Sequence, residues 1–232
     1  MGGIEGEDRL ESAGALVVIV VGISGSGKST VGRALARSLD VPFLDGDKVH
    51  SEESIAKMRH GKPLTESDRL PWLAALAAGI ATLSLTTGGV IACSALKRRY
   101  REALSAAAPD VRFLELTLSP ASAQQRVAAR TGHFMSSSLV KSQYEEFEPL
   151  DPEEPGMAID ATMPLDDEIA AFREHLRQYP VENLRAVPVR EAIERVTSDP
   201  ATPASSGHRS KGGERPDGGE RPAGGDRPDG EG

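Results

Sequence analysis

Gly22, Gly27, Lys28 and Ser29 satisfy the pattern G-x-x-x-x-G-K-[ST] within "VVIVVGISGSGKSTVG", residues 17–32. Branched apolar residues precede this turn. A helical pattern with Val31, Leu35 and Leu39 on one face follows it. In that context the pattern is a phosphate-binding turn. Its glycines let backbone N–H groups close around phosphate oxygens, and the helix N-terminus adds positive potential. Lys28 is placed to reach the β and γ oxygens of a nucleotide, and the Ser29 hydroxyl to ligate Mg²⁺. The pattern implies a nucleotide without saying which reaction it enters.

A second group of residues suits a phosphoryl acceptor. Asp45-Gly46-Asp47 directly follows the short apolar run "PFL". Residues two apart in an extended segment share a side, so both carboxylates are expected at the same edge as the nucleotide. One such group can hold a hydrated metal while the other takes a proton from an attacking hydroxyl. An Asp-Gly turn with no chemistry is the plain alternative. Arg69, near the start of a helix in "KPLTESDRLPWLAAL", suits a carboxylate because its planar donors bond in pairs. Trp72 reads as core. Lys97, Arg98 and Arg101 in "CSALKRRYRE" are expected near the same edge, a solvated basic helix start being the plain alternative for at least two of them. Arg126 and Arg130, four apart in "AQQRVAARTGHF", share a helical face and suggest a lid that neutralises charge on ATP.

The elements that must position these residues alternate along the chain. Strand-like runs occur at "ALVVIVV", "PFLD", "GGVIACSA", "VRFLELTL" and "MAIDAT". Helical patterns fall at Lys28–Leu39, Glu52–His60, Pro71–Leu85, Pro120–Arg130, Ser137–Phe147 and Asp166–Gln178. Pro71 is expected in the first turn of its helix. This alternation predicts an α/β fold, a five-stranded parallel sheet with helices on both faces.

Composition narrows the setting. With 27 basic and 35 acidic residues among 232, the formal charge is −8 and no long basic run appears, so neither nucleic acid nor an anionic membrane is indicated as partner. Pro71–Leu96 carries no charged side chain, yet Gly88-Gly89 and its Ser/Thr content fit a core helix, turn and buried strand better than a membrane span. One cysteine, Cys93, excludes an internal disulfide, and the acidic N-terminus is unlike a secretory signal, which together suggest a cytoplasmic protein.

The expected organisation is a flexible N-terminus at 1–14, a nucleotide-binding domain at 15–180, an extra helix within 181–200 and a disordered tail at 201–232. The tail contains "GGERPD", "GGERPA" and "GGDRPD" in succession, with no large apolar side chain to bury.

Taken in order, "GISGSGKSTVG", "LDGDKVHSEESIAKMRHGKPLTESDRLPWL", "IACSALKRRYR" and "RTGHFMSSSLVKSQYEEFEPL" resemble the gluconokinases of the P-loop, shikimate-kinase-like type over about residues 16–178. The resemblance implies a P-loop NTPase fold of three α/β/α layers with a small mobile lid. It implies transfer of the γ-phosphate of ATP, with Mg²⁺, to the 6-hydroxyl of D-gluconate, in a homodimer. It further implies that Gly22, Ser24, Gly25, Ser26, Gly27, Lys28, Ser29 and Thr30 bind ATP, that Asp47 lies against the substrate hydroxyl, and that Arg126 and Arg130 belong to the nucleotide lid. His50, Arg69, Lys97, Arg98 and Arg101 would approach the sugar acid, with Lys28, Asp47 and Arg130 in the catalytic group.

Two departures stand out. Ser54 occupies the place of a usual asparagine, and Cys93-Ser94 ends the third strand where many NTPases have aspartate. That leaves the metal to Ser29, water and Asp45. A shikimate-kinase-like enzyme and a nucleotide-binding regulator without acceptor are the alternatives. The first lacks the "TESDRLPWL" and "CSALK" combination, and the second has no need of the aspartate pair.

Overall fold

Val17–Val21 (β1) lies at the centre of the sheet because all five of its side chains are buried and both of its edges are paired. Its neighbours are Gly89–Ala92 (β3) and Val111–Thr117 (β4), in registers that set Val17 opposite Gly89 and Val111. Phe43–Asp45 (β2) adds outside β3, and Gly156–Asp160 (β5) outside β4. The order is β2-β3-β1-β4-β5, all parallel, as the alternating pattern predicts. The computed structural model describes residues 14–129 and 138–179, which belong to one compact unit.

Side chains alternate across the sheet and so divide the core in two. Val17, Ile19 and Val21 pack with Trp72, Leu73, Leu76 and Ile80 of Glu66–Ser84 (α3) and with Tyr100 and Leu104 of Arg98–Ser105 (α4). Val18 and Val20 face the other layer. There they meet Val31 and Leu35 of Lys28–Leu39 (α1), Ala123 and Val127 of Pro120–Ala128 (α5), and Ile169 and Phe172 of Leu165–Gln178 (α7). The remaining helices are Glu52–Arg59 (α2) and Ser138–Glu146 (α6). No helix among the described residues is long and apolar enough to cross a membrane.

Helix α3 corrects the expected boundary. It begins at Glu66 rather than at Pro71, under a reciprocal cap in which the Thr65 hydroxyl accepts from Asp68 N–H and Asp68 Oδ2 accepts from Thr65 N–H at 2.9 Å. Pro71 therefore sits inside the helix. The carbonyl it deprives of a partner is that of Ser67, which is exposed, so water can serve it and the helix continues.

Helix α4, expected only as the plain alternative for the basic segment after β3, is anchored by Arg101. This side chain is fully buried. It meets Glu154 at 2.7 and 2.8 Å and donates to the carbonyls of Ala95, Leu96, Glu148 and Pro149. The segment after α6 is thereby tied to the end of β3. The expected lid falls largely on residues 130–137, and the expected N-terminal segment (but for Gly14), extra helix and tail on 1–13 and 180–232. All lie outside the described residues.

Candidate active site

The loop from Gly22 to Gly27 leaves β1 and enters α1 with Gly27 at φ 101°, a conformation that costs glycine nothing. Lys28 is buried, and its Nζ donates to the Ile23 carbonyl at 3.0 Å, which folds the side chain back over the loop. Ser29 Oγ donates to Asp45 Oδ2 at 3.5 Å, and Arg33 Nη2 approaches the same oxygen at 3.4 Å. Hydroxyl and carboxylate oxygens side by side at the head of α1 are the hard donors that Mg²⁺ takes. The Ser26 hydroxyl is buried without a hydrogen-bond partner.

The aspartate pair reaches the sheet edge by a different route from the one expected. The strand ends at Asp45, and Gly46–Val49 forms a single 3-10 turn. Gly46 is wedged there so tightly that a Cβ would come within 2.8 Å of both the Ala92 carbonyl and the Cys93 side chain. Trp72 Nε1 donates to its carbonyl at 2.9 Å. The two carboxylates consequently part. Asp45 faces Ser29, whereas Asp47 lines a pocket with His50, Arg69, Trp72, Ser94 and Glu146.

That pocket has an apolar floor and unsatisfied polar atoms. His50 stacks on Trp72, and its Nδ1 is buried without a hydrogen-bond partner, as is Ser94 Oγ. Burial, and then the Arg69 guanidinium, push the His50 imidazole down to about 4, so at neutral pH it is uncharged and can both donate and accept. Cys93 beneath the pocket is held as an inert thiol, pushed up to about 12 by burial and by the Asp47 carboxylate.

Arg69 is held from behind. Its Nη1 donates to Tyr100 Oη at 3.0 Å, and Tyr100 in turn donates to Glu66 at 2.7 Å. Glu66 also receives Lys97 at 3.0 Å and Arg99 at 2.5 Å. Burial raises the Glu66 carboxyl, but the Tyr100 and Lys97 hydrogen bonds outweigh it and hold the group below its usual range. Arg69 Nη2 turns into the pocket and lies 2.8 Å from Glu146 at the end of α6.

Several expected acceptor residues stand elsewhere. Arg101 serves the core of the fold, because burying a guanidinium requires the carboxylate and carbonyls that surround it. Arg98 lies outside the pocket, on exposed ion pairs with Glu102, Asp151 and Glu153. Lys97 acts on Arg69 only through Glu66 and Tyr100. Arg126 donates to the Ala161 carbonyl at 2.8 Å, beyond the end of β5, and not to the phosphate loop; Arg130 is outside the described residues.

Gln143, Glu146, Ser94 and Tyr100 went unrecognised in the sequence. The three-residue spacing of Gln143 and Glu146 on one helical face was the available signal.

Comparison with known proteins shows the family. Residues 17–150 match the family described as AAA domain. The thermoresistant gluconokinase of Escherichia coli is 36% identical over 164 residues, spanning 70% of this chain and 94% of that protein. The thermosensitive gluconokinase of the same organism is 42% identical over 131 residues, 56% of this chain and 70% of that protein. A solved gluconokinase from Sinorhizobium meliloti 1021 superposes with a TM-score of 0.62 at 40% identity, covering 70% of this chain and 96% of its own. Shikimate kinase from Aquifex aeolicus, TM-score 0.52 at 16% identity over 70% of this chain and 96% of its own, shares the fold alone.

Proposed function

The chain belongs to the gluconokinase family of P-loop kinases, and on that premise we propose that it transfers the γ-phosphoryl group of ATP to the 6-hydroxyl of D-gluconate. The observation that carries the proposal is the division of the aspartate pair: Asp45 faces the Ser29 hydroxyl beside the phosphate loop, and Asp47 enters a separate pocket that also holds Arg69.

The roles follow from what each group can do. Backbone N–H groups of Gly22 to Thr30 and the Lys28 ammonium hold the phosphates, leaving the γ-phosphoryl at the carboxyl end of the sheet. Ser29 and, through water, Asp45 would hold Mg²⁺, which when bound offsets charge on the β and γ oxygens. Arg69 receives the gluconate carboxylate as a planar two-donor partner. The neutral His50 ring and the Ser94 hydroxyl, both lacking protein partners for buried atoms, fit the hydroxyls of a polyol chain. Asp47 orients the acceptor hydroxyl and takes its proton as the O–P bond forms. Arg126 and Arg130 remain candidates for the nucleotide side. A cytoplasmic homodimer is the further expectation from family resemblance.

The test is an ADP-release assay with gluconate, shikimate, other aldonates and neutral sugars, each with Mg²⁺ and with chelator, and the products read by mass spectrometry. Gluconate-dependent, chelator-sensitive formation of 6-phosphogluconate is expected. Phosphorylation of shikimate with gluconate untouched would overturn the assignment.

A further inference from the structure

Gln143 and Glu146 stand three residues apart on α6 and line the same pocket. Gln143 Oε1 accepts from the backbone N–H of Ser24 at 2.7 Å. Glu146 Oε2 lies 2.8 Å from Arg69 Nη2. Under the function proposed above, on which this inference rests, Ser24 N–H is a phosphate donor and Arg69 the carboxylate donor. One short helix thus sets an amide oxygen where a phosphate oxygen would go and a carboxylate where the acceptor's carboxylate would go.

We propose that α6 couples the two substrates: the acceptor carboxylate displaces Glu146 from Arg69, Gln143 is withdrawn from Ser24 N–H with the same helix, and each ligand thereby favours the other. Glu146 is suited to exchange. It is the last residue of α6, where negative charge is unfavourable against the helix dipole, so its place depends on Arg69. Exchange also selects for charge. A neutral sugar of the same shape cannot replace the carboxylate on Arg69, whereas an acid can, so Glu146 raises discrimination in favour of anionic acceptors.

Calorimetric titration of the full chain with gluconate, with and without ADP and Mg²⁺, reads the coupling without turnover. In the wild type, ADP should tighten gluconate by about 5-fold or more, and gluconate should tighten ADP by the same factor, as linkage requires. Glu146→Gln should bind gluconate more tightly than wild type in the absence of ADP, and Gln143→Ala should bind ADP more tightly in the absence of gluconate. In each variant the mutual factor should fall towards one. Equal gluconate affinity with and without ADP in the wild type, or weaker gluconate binding by Glu146→Gln, would overturn the coupling. Neither result would touch the kinase assignment, which is read separately by product formation from gluconate.

Discussion

The His50 imidazole lies flat on the indole of Trp72, ring centroids 4.7 Å apart and planes 8° from parallel. In the folded chain burial and Arg69 lower its pKa to about 4, against 6.5 for an unperturbed histidine. Above pH 6.5 both folded and unfolded chains carry a neutral ring. As pH falls from 6.5 towards 4 the unfolded chain takes up a proton that the folded chain refuses, and stability declines across that window. Calorimetry from about pH 7.5 to 4.5 should show a falling melting temperature whose slope is shallower in His50→Phe. Equal slopes in the two proteins would place the pH dependence elsewhere.

Asp47→Asn keeps the shape of the side chain and removes its basicity. Turnover should drop by roughly 10²–10⁴ with ATP binding retained. Asp45→Asn should instead raise the Mg²⁺ concentration needed for half-maximal rate, because Asp45 faces Ser29 and not the acceptor pocket. Steady-state rates over a Mg²⁺ titration separate the two. Full turnover in Asp47→Asn would remove it from the chemistry.

Lys28→Ala should lower turnover by about 10²-fold or more, the scale of losing one donor aimed at developing charge. Folding should survive. The Ile23 carbonyl that Lys28 caps also accepts from Ser26 N–H at 3.2 Å, so it keeps a partner. Thermal melts beside ADP-release rates check both halves, and a variant that turns over like wild type would contradict the phosphate role.

Arg101→Ala should destabilise the fold by about 3–5 kcal/mol, since it leaves the buried Glu154 carboxylate without its cation. Arg101→Lys should recover only part, because an ammonium cannot serve a carboxylate and several carbonyls at once. Arg98→Ala, on exposed ion pairs, should alter neither the melting temperature nor gluconate kinetics appreciably. Urea denaturation measures the first two, and an Arg101→Ala protein as stable as wild type but defective only in gluconate affinity would return Arg101 to the acceptor site.

The sequence by itself determined what local forces control. The branched run of β1, the glycine turn and the amphipathic face of α1 lie next to one another in the chain, so the phosphate loop was legible together with its strand and helix. The five strands and most of the helices were readable for the same reason: periodicity is a property of neighbouring residues. Pro71 signals a first turn and so sets the start of α3 too late in the sequence, while the Thr65–Asp68 cap and the exposed Ser67 carbonyl let the helix begin at Glu66. Only the tertiary structure decided which charges meet. The wedge of Gly46 against β3 sends Asp45 and Asp47 to different subsites, and closure of the segment around Glu148 and Glu154 takes Arg101 out of the pocket. Packing of α6 sets Gln143 against Ser24, 119 residues away in the chain. Such pairings depend on strand order and on which helix covers which face, and those are fixed by burial across the whole sheet rather than by the residues on either side of each group.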